Sequence, residues 1–90
     1  MLNFYRKIIA LIDWFLLNLI SGRMKTALRI EKAKRKNNLP IYCPEVEERK
    51  INLLKESARR KNLDENFIAE IFSGIMKESV KVQENQRAKK

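Results

Sequence analysis

The sequence predicts an all-α protein of three helices, one of them very long, and three observations carry that prediction. Only two glycines and two prolines occur among 90 residues, too few for the many tight turns of a β-sandwich or barrel. Apolar residues return every three or four positions over long stretches. A hydrophobic fraction of 44% is that of a chain that folds.

The first helix is expected from about Asn3 to Asn37, without a proline and with a single Gly22. Phe4, Ile8, Leu11, Ile12, Phe15, Leu16, Leu19 and Ile20 fall at helical spacing, and the pattern thins to Met24, Ala27, Leu28 and Ile30 among charges. Asn3 is its expected N-cap, and Asn37-Asn38 with Pro40 stop it. Such a helix is about 50 Å long, well beyond the roughly 30 Å diameter of a compact domain of this size. The second helix opens at Pro44, which suits the first helical position, with Glu45, Glu47 and Glu48 beside its positive end. It runs through Ile51, Leu54 and Ala58 to the polar stretch Arg59-Arg60-Lys61-Asn62. The third follows Asp64 as N-cap and carries Phe67, Ile68, Ile71, Phe72, Ile75, Met76, Val80 and Val82. Residues 1–90 read as one domain, with 84–90 expected to fray.

Composition removes several chemistries. The absence of histidine takes away the commonest general base and metal ligand. One cysteine excludes an intrachain disulfide framework and a cysteine-rich zinc site. No metal and no cofactor are expected. A net charge of +9 calls for an anionic partner. Ile8–Ile12 and Trp14–Leu17 form an apolar run behind Arg6 and Lys7, yet Asp13 interrupts it. The uncharged stretch from Trp14 to Gly22 is far short of the ~20 residues of a bilayer span. The expectation is a cytoplasmic protein that does not enter a membrane. Two short helices cannot cover an apolar stretch such as Ile8 to Ile20, so burial alone favours a homodimer.

Polar residues stand where the helical pattern wants apolar ones. Arg23 and Lys34 are eleven residues, close to three turns, apart, so they share one side of the first helix with Cα atoms about 16 Å apart. They are either solvated cations or a clamp on a small anion. Arg6 is about 25 Å from Arg23 and reaches such a site only from a second chain. Ser79 and Gln83 continue the stripe Ile68, Phe72, Ile75, pointing either at a wet pocket or at solvent. Glu47 either serves a ligand or stabilises the helix start.

The order Arg6, Arg23, Lys34, Glu47, Ser79, Gln83 resembles the active-site series of the all-helical (AroQ-type) chorismate mutases. Arg6-x-x-Ile9-x-x-Ile12-Asp13, Leu39-Pro40-Ile41-Tyr42-Cys43-Pro44-Glu45-Val46-Glu47 and Ile71-Phe72-x-x-Ile75-Met76-x-x-Ser79-x-x-x-Gln83 are similar to that family's text, covering Tyr5 to Gln83. The resemblance implies an intertwined homodimer with two active sites and the rearrangement of chorismate to prephenate. That reaction is pericyclic and needs no histidine, metal or nucleophile. By resemblance, Arg23 and the second subunit's Arg6 bind the carboxylates of a small dianionic substrate. Lys34 and Gln83 donate to the ether oxygen, with Lys34 also near a carboxylate; Ser79 contacts a carboxylate and Glu47 accepts from the ring hydroxyl.

Two positions depart from the family's Asp-Pro-x-Arg-Glu loop. Cys43 stands at the Asp, at the pocket edge, where the family uses mainly the backbone. Val46 removes a cation, worth about tenfold to a hundredfold in rate. The alternatives are therefore a chorismate relative as substrate (an isochorismate pyruvate lyase or a 4-amino-4-deoxychorismate mutase) or a weakly active or non-catalytic relative. The runs Lys32–Lys36 and Arg59-Arg60-Lys61 raise nucleic-acid binding as a distant alternative, but no aromatic residue lies within them to stack on bases. No nucleic-acid partner is expected.

Overall fold

Three α-helices follow one another in the computed structural model, which describes residues 1–89. Helix α1 is Leu2–Lys36, α2 is Pro44–Arg60 and α3 is Glu65–Ala88. The long axis of the molecule is 54 Å, as a 35-residue helix demands. Its radius of gyration is 16.2 Å, against about 12 Å for a compact chain of this length. Helix α3 lies against both α1 and α2, which do not pack on each other. No described helix is long and apolar enough to cross a membrane.

The helix ends follow from local chemistry. Met1, not Asn3, precedes the first helical residue, and no side chain caps that end. The first helix therefore starts one residue before the expected cap, because nothing in the sequence competes with the helix there. Pro44 occupies the first turn of α2, and Asp64 accepts from the N–H groups of Asn66 and Phe67 at 2.8 and 3.1 Å. Helices α1 and α2 end alike. Asn38 and Asn62 adopt φ of 54° and 59°, the left-handed conformation that asparagine tolerates among the non-glycine residues. The following Leu39 and Leu63 then donate back to Lys34 O and Ala58 O at 2.8 and 2.9 Å.

Burial follows the expected stripes on α2 and α3. Ala58 and Met76 are buried, while Ile51, Leu54, Ile68, Phe72 and Ile75 are half-buried. On α1 the outcome differs along its length: residues 1–22 are all exposed, and burial begins only at Arg23. The end of α3 departs from expectation. Residues 84–88, expected to fray, are helical, and Gln86 and Arg87 are half-buried against α1. A buried carboxylate on α1 supplies the tether, as described below. The last residue of that stretch, Lys90, lies outside the described residues.

Candidate active site

A cavity of about 540 Å³ opens between α1, α3 and the start of α2. Ligand sites of small molecules fall within about 300–1,000 Å³. Of the residues marked by their position, Arg23, Lys34, Cys43, Glu47, Ser79 and Gln83 line it, brought together from all three helices and the loop after α1. Arg6 does not line it. It stands seventeen residues, about 25 Å, up the same helix.

Each wall is set by helical geometry. Arg23, Ala27, Ile30 and Lys34 recur at three- and four-residue steps along one face of α1, and Met76, Ser79 and Gln83 do so on α3. Ser79 and Gln83 are 7% and 5% exposed, so the stripe they extend leads into the cavity and not into solvent. The Arg23 guanidinium donates through Nη1 to Ser79 Oγ at 2.6 Å, which ties α1 to α3 and leaves its other N–H groups for an anion. The Lys34 ammonium donates to the Ile41 carbonyl at 2.7 Å and keeps two further donors. Gln83 Oε1 is buried without a partner. Half a turn of the amide puts a donor in that place.

At the rim, the Cys43 thiol donates to Glu45 Oε2 at 3.3 Å. The Glu45 carboxyl is held below its ordinary value by its own backbone N–H and then by that thiol. This thiol is thus a pocket-edge donor. Val46 lines the same rim next to Glu47.

Two features escaped the sequence reading. Lys50, one turn beyond Glu47 and Val46 on α2, also lines the cavity. Its signal was the i, i+3 step from Glu47, which puts it on the same helical face. With it, the lining holds three cations and one carboxylate, a net charge of +2. The second feature is Glu31, which has no exposed surface at all. It lies four residues after Ala27 on the inward face of α1, a signal hidden by the surrounding charge run. A hydrogen bond from Gln86 is the main cause holding its carboxyl below the ordinary value. The Arg87 hydrogen bond and the charges of Arg35 and Arg87 add to it, against the opposing effect of burial.

With this arrangement in view, comparison with known proteins is decisive. The model of the family described as chorismate mutase type II matches residues 5–84. The chain belongs to that family. Among curated proteins, this chorismate mutase family member is similar to two proteins named bifunctional chorismate mutase/prephenate dehydratase. One, from Buchnera aphidicola subsp. Schizaphis graminum (strain Sg), is 35% identical over 79 residues, covering 88% of this chain and 20% of the relative. The other, from Buchnera aphidicola subsp. Baizongia pistaciae (strain Bp), is 32% identical over 79 residues, covering 88% and 21%. The chain thus spans about a fifth of the length of these relatives. No solved structure matches it.

Proposed function

We propose that this chain is a chorismate mutase, rearranging chorismate to prephenate in aromatic amino-acid biosynthesis. The observation that carries this reading is a cavity of net charge +2 whose lining unites Arg23, Lys34, Glu47, Ser79 and Gln83. A dianion suits that positive charge, and the reaction asks for positioning and electrostatics only. The carboxylates of the substrate lie against Arg23 and Ser79. Lys34 and Gln83 donate to the ether oxygen as its bond to carbon breaks and negative charge gathers there. Glu47 accepts from the ring hydroxyl, and Cys43 forms the edge of the pocket. No proton changes hands and no covalent intermediate forms, so no cofactor enters the scheme.

The reading includes a homodimer in which Arg6 of one subunit completes the site of the other. It is supported by the absence of Arg6 from the lining of its own chain's cavity and by the unbroken exposure of residues 1–22. It also places the protein in the cytoplasm, where a lone thiol such as Cys43 stays reduced. Nucleic acid is not a partner in it, and two cations of the run 59–61 are already paired. Arg59 meets Glu65 at 3.0 Å and Arg60 meets Glu56 at 2.7 Å.

The test is the loss of ultraviolet absorbance of chorismate on adding the pure protein. Lys34→Ala should lower kcat about 10²–10³-fold, the cost of removing one donor to a developing oxyanion. Arg23→Ala should lower kcat/KM about tenfold to a hundredfold. Activity that survives both changes sinks the site assignment. Co-refolding Arg6→Ala with Arg23→Ala chains should restore about a quarter of wild-type activity, because half the dimers are mixed and each carries one intact site. No restoration removes the shared site.

A second reading changes the substrate and, for an isochorismate pyruvate lyase, the reaction. Val46, an apolar residue beside Glu47 at the rim, favours a ring substituent other than the hydroxyl of chorismate. Offering chorismate, isochorismate and 4-amino-4-deoxychorismate in parallel and identifying the products separates the two.

A further inference from the structure

The end of the cavity nearest the C-terminus of α1 is backed by an ion cluster that the proposed reaction does not use. Glu31 Oε1 accepts from Gln86 Nε2 at 2.6 Å, and its Oε2 accepts from Arg87 Nε at 3.0 Å. Arg35 Nε stands 3.7 Å from the same Oε2. A buried ion pair is a poor source of stability, since apolar side chains of similar volume hold a core as well or better. What the cluster does supply is geometry, through a closed ring of contacts. Arg87 Nη1 donates to the Leu39 carbonyl at 3.3 Å, and the Leu39 N–H donates to Lys34 O at 2.8 Å. Lys34 Nζ in turn donates to Ile41 O at 2.7 Å. Leu39 and Ile41 both line the cavity.

We propose that the Glu31–Arg87 pair is a positioning device for Lys34. From α3 it fixes the Leu39–Ile41 segment, so that the Ile41 carbonyl holds the Lys34 ammonium inside the cavity. Glu31 is the anchor: its carboxylate orients the guanidinium whose other arm reaches Leu39. Without the pair, the segment loses its tie to α3 through Arg87, and Lys34 loses a fixed acceptor to aim it. Gln83 gains from the same device, being one helical turn before Arg87 on α3. Gln86 strengthens the joint by also donating to Leu28 O of α1 at 3.0 Å. Neither Glu31 nor Arg87 lines the cavity, so both act through Lys34. The proposal rests on the reading of Lys34 as donor to the ether oxygen.

The experiment replaces the pair with an apolar one, Glu31→Leu with Arg87→Met, which keeps the packing and removes the ring. Helicity and thermal midpoint should stay near wild type, whereas a purely structural role would need no more than that. The expected result is a fall in kcat of about tenfold to a hundredfold, from misplacement of a catalytic group. KM should change by less than about threefold, and the Leu39 amide should exchange its hydrogen faster. Arg87→Lys keeps the charge beside Glu31 but cannot span both acceptors, so its kcat should fall between the two. A folded double variant with wild-type kcat and unchanged Leu39 exchange overturns the proposal. Should the double variant not fold, Arg87→Lys with wild-type kcat and exchange overturns it equally. A wild type that leaves chorismate untouched refutes the function instead, and Leu39 exchange then decides the clamp alone.

Discussion

The two halves of α1 carry opposite surfaces to opposite fates. Its N-terminal half is richly apolar, with Trp14, Phe15, Leu16, Leu17, Leu19 and Ile20, and every residue of it is exposed. Its C-terminal half is dominated by charges, and it buries Arg23 partly, Ala27 deeply and Glu31 completely. Burial along α1 is thus decided by where α3 lies and not by hydropathy. What a single chain encloses is a largely apolar cavity set with a few charged and polar groups, and what it leaves open is the material of a core. The lesson is a division of labour: one half of the helix builds a site, and in the proposed dimer the other half builds the assembly.

The sharpest way to break that contrast is to put the same charge into each half. Leu16→Glu should abolish the proposed chorismate turnover and convert the proposed dimer to monomer in sedimentation velocity, because a carboxylate cannot be enclosed between apolar faces without a partner. Lys32→Glu, in the exposed part of the charged half, should change turnover by less than about twofold, as surface substitutions usually do. Equal responses at both positions would erase the distinction between the halves.

A smaller effect concerns acid. The Glu31 carboxyl is held below its ordinary value of 4.5 in the folded chain, chiefly by Gln86 and then by Arg87 and Arg35. A depressed folded-state pKa means that its contribution is complete above about that ordinary value and disappears as the pH falls through the lower one. The thermal midpoint of wild type should therefore drop more steeply below pH 4.5 than that of Glu31→Gln. Parallel slopes would show that the charge of Glu31 adds nothing to the packed half. Smallest is the cap. Asp64→Ala should cost about 1 kcal/mol, read in urea unfolding, and should leave the oligomeric state untouched.

Features set by neighbouring residues were legible from the sequence. Pro44, Asp64 and the stop after Asn37 act through bonds a few residues away, so local rules located the three helices. The stripe Ile68, Phe72, Ile75, Ser79, Gln83 was legible too, because helical periodicity alone aligns it. Arg23 and Lys34 followed from the same rule. Glu31 was not legible, although it stands on that face. Its burial depends on Gln86 and Arg87, partners more than fifty residues away, and a lone glutamate in a basic run reads as solvated. The same contacts explain why the end of α3 stays helical where a polar tail promised fraying. Lys50 was missed for a simpler reason: Val46 drew attention to a lost cation, while the next turn of the helix held another.

The absence of packing between α1 and α2 has a consequence in time. Helices α2 and α3 meet across the short turn 61–64, so their pairing closes a small loop. The side-chain bonds from α1 to α3 instead span 55 to 58 residues, and closing that loop costs more chain entropy. The α2–α3 hairpin is therefore expected to form early and α1 to dock late, carrying its uncovered apolar half with it. In stopped-flow refolding the first phase should be independent of protein concentration, while the last, which would join the two chains of the proposed dimer, should quicken as concentration rises.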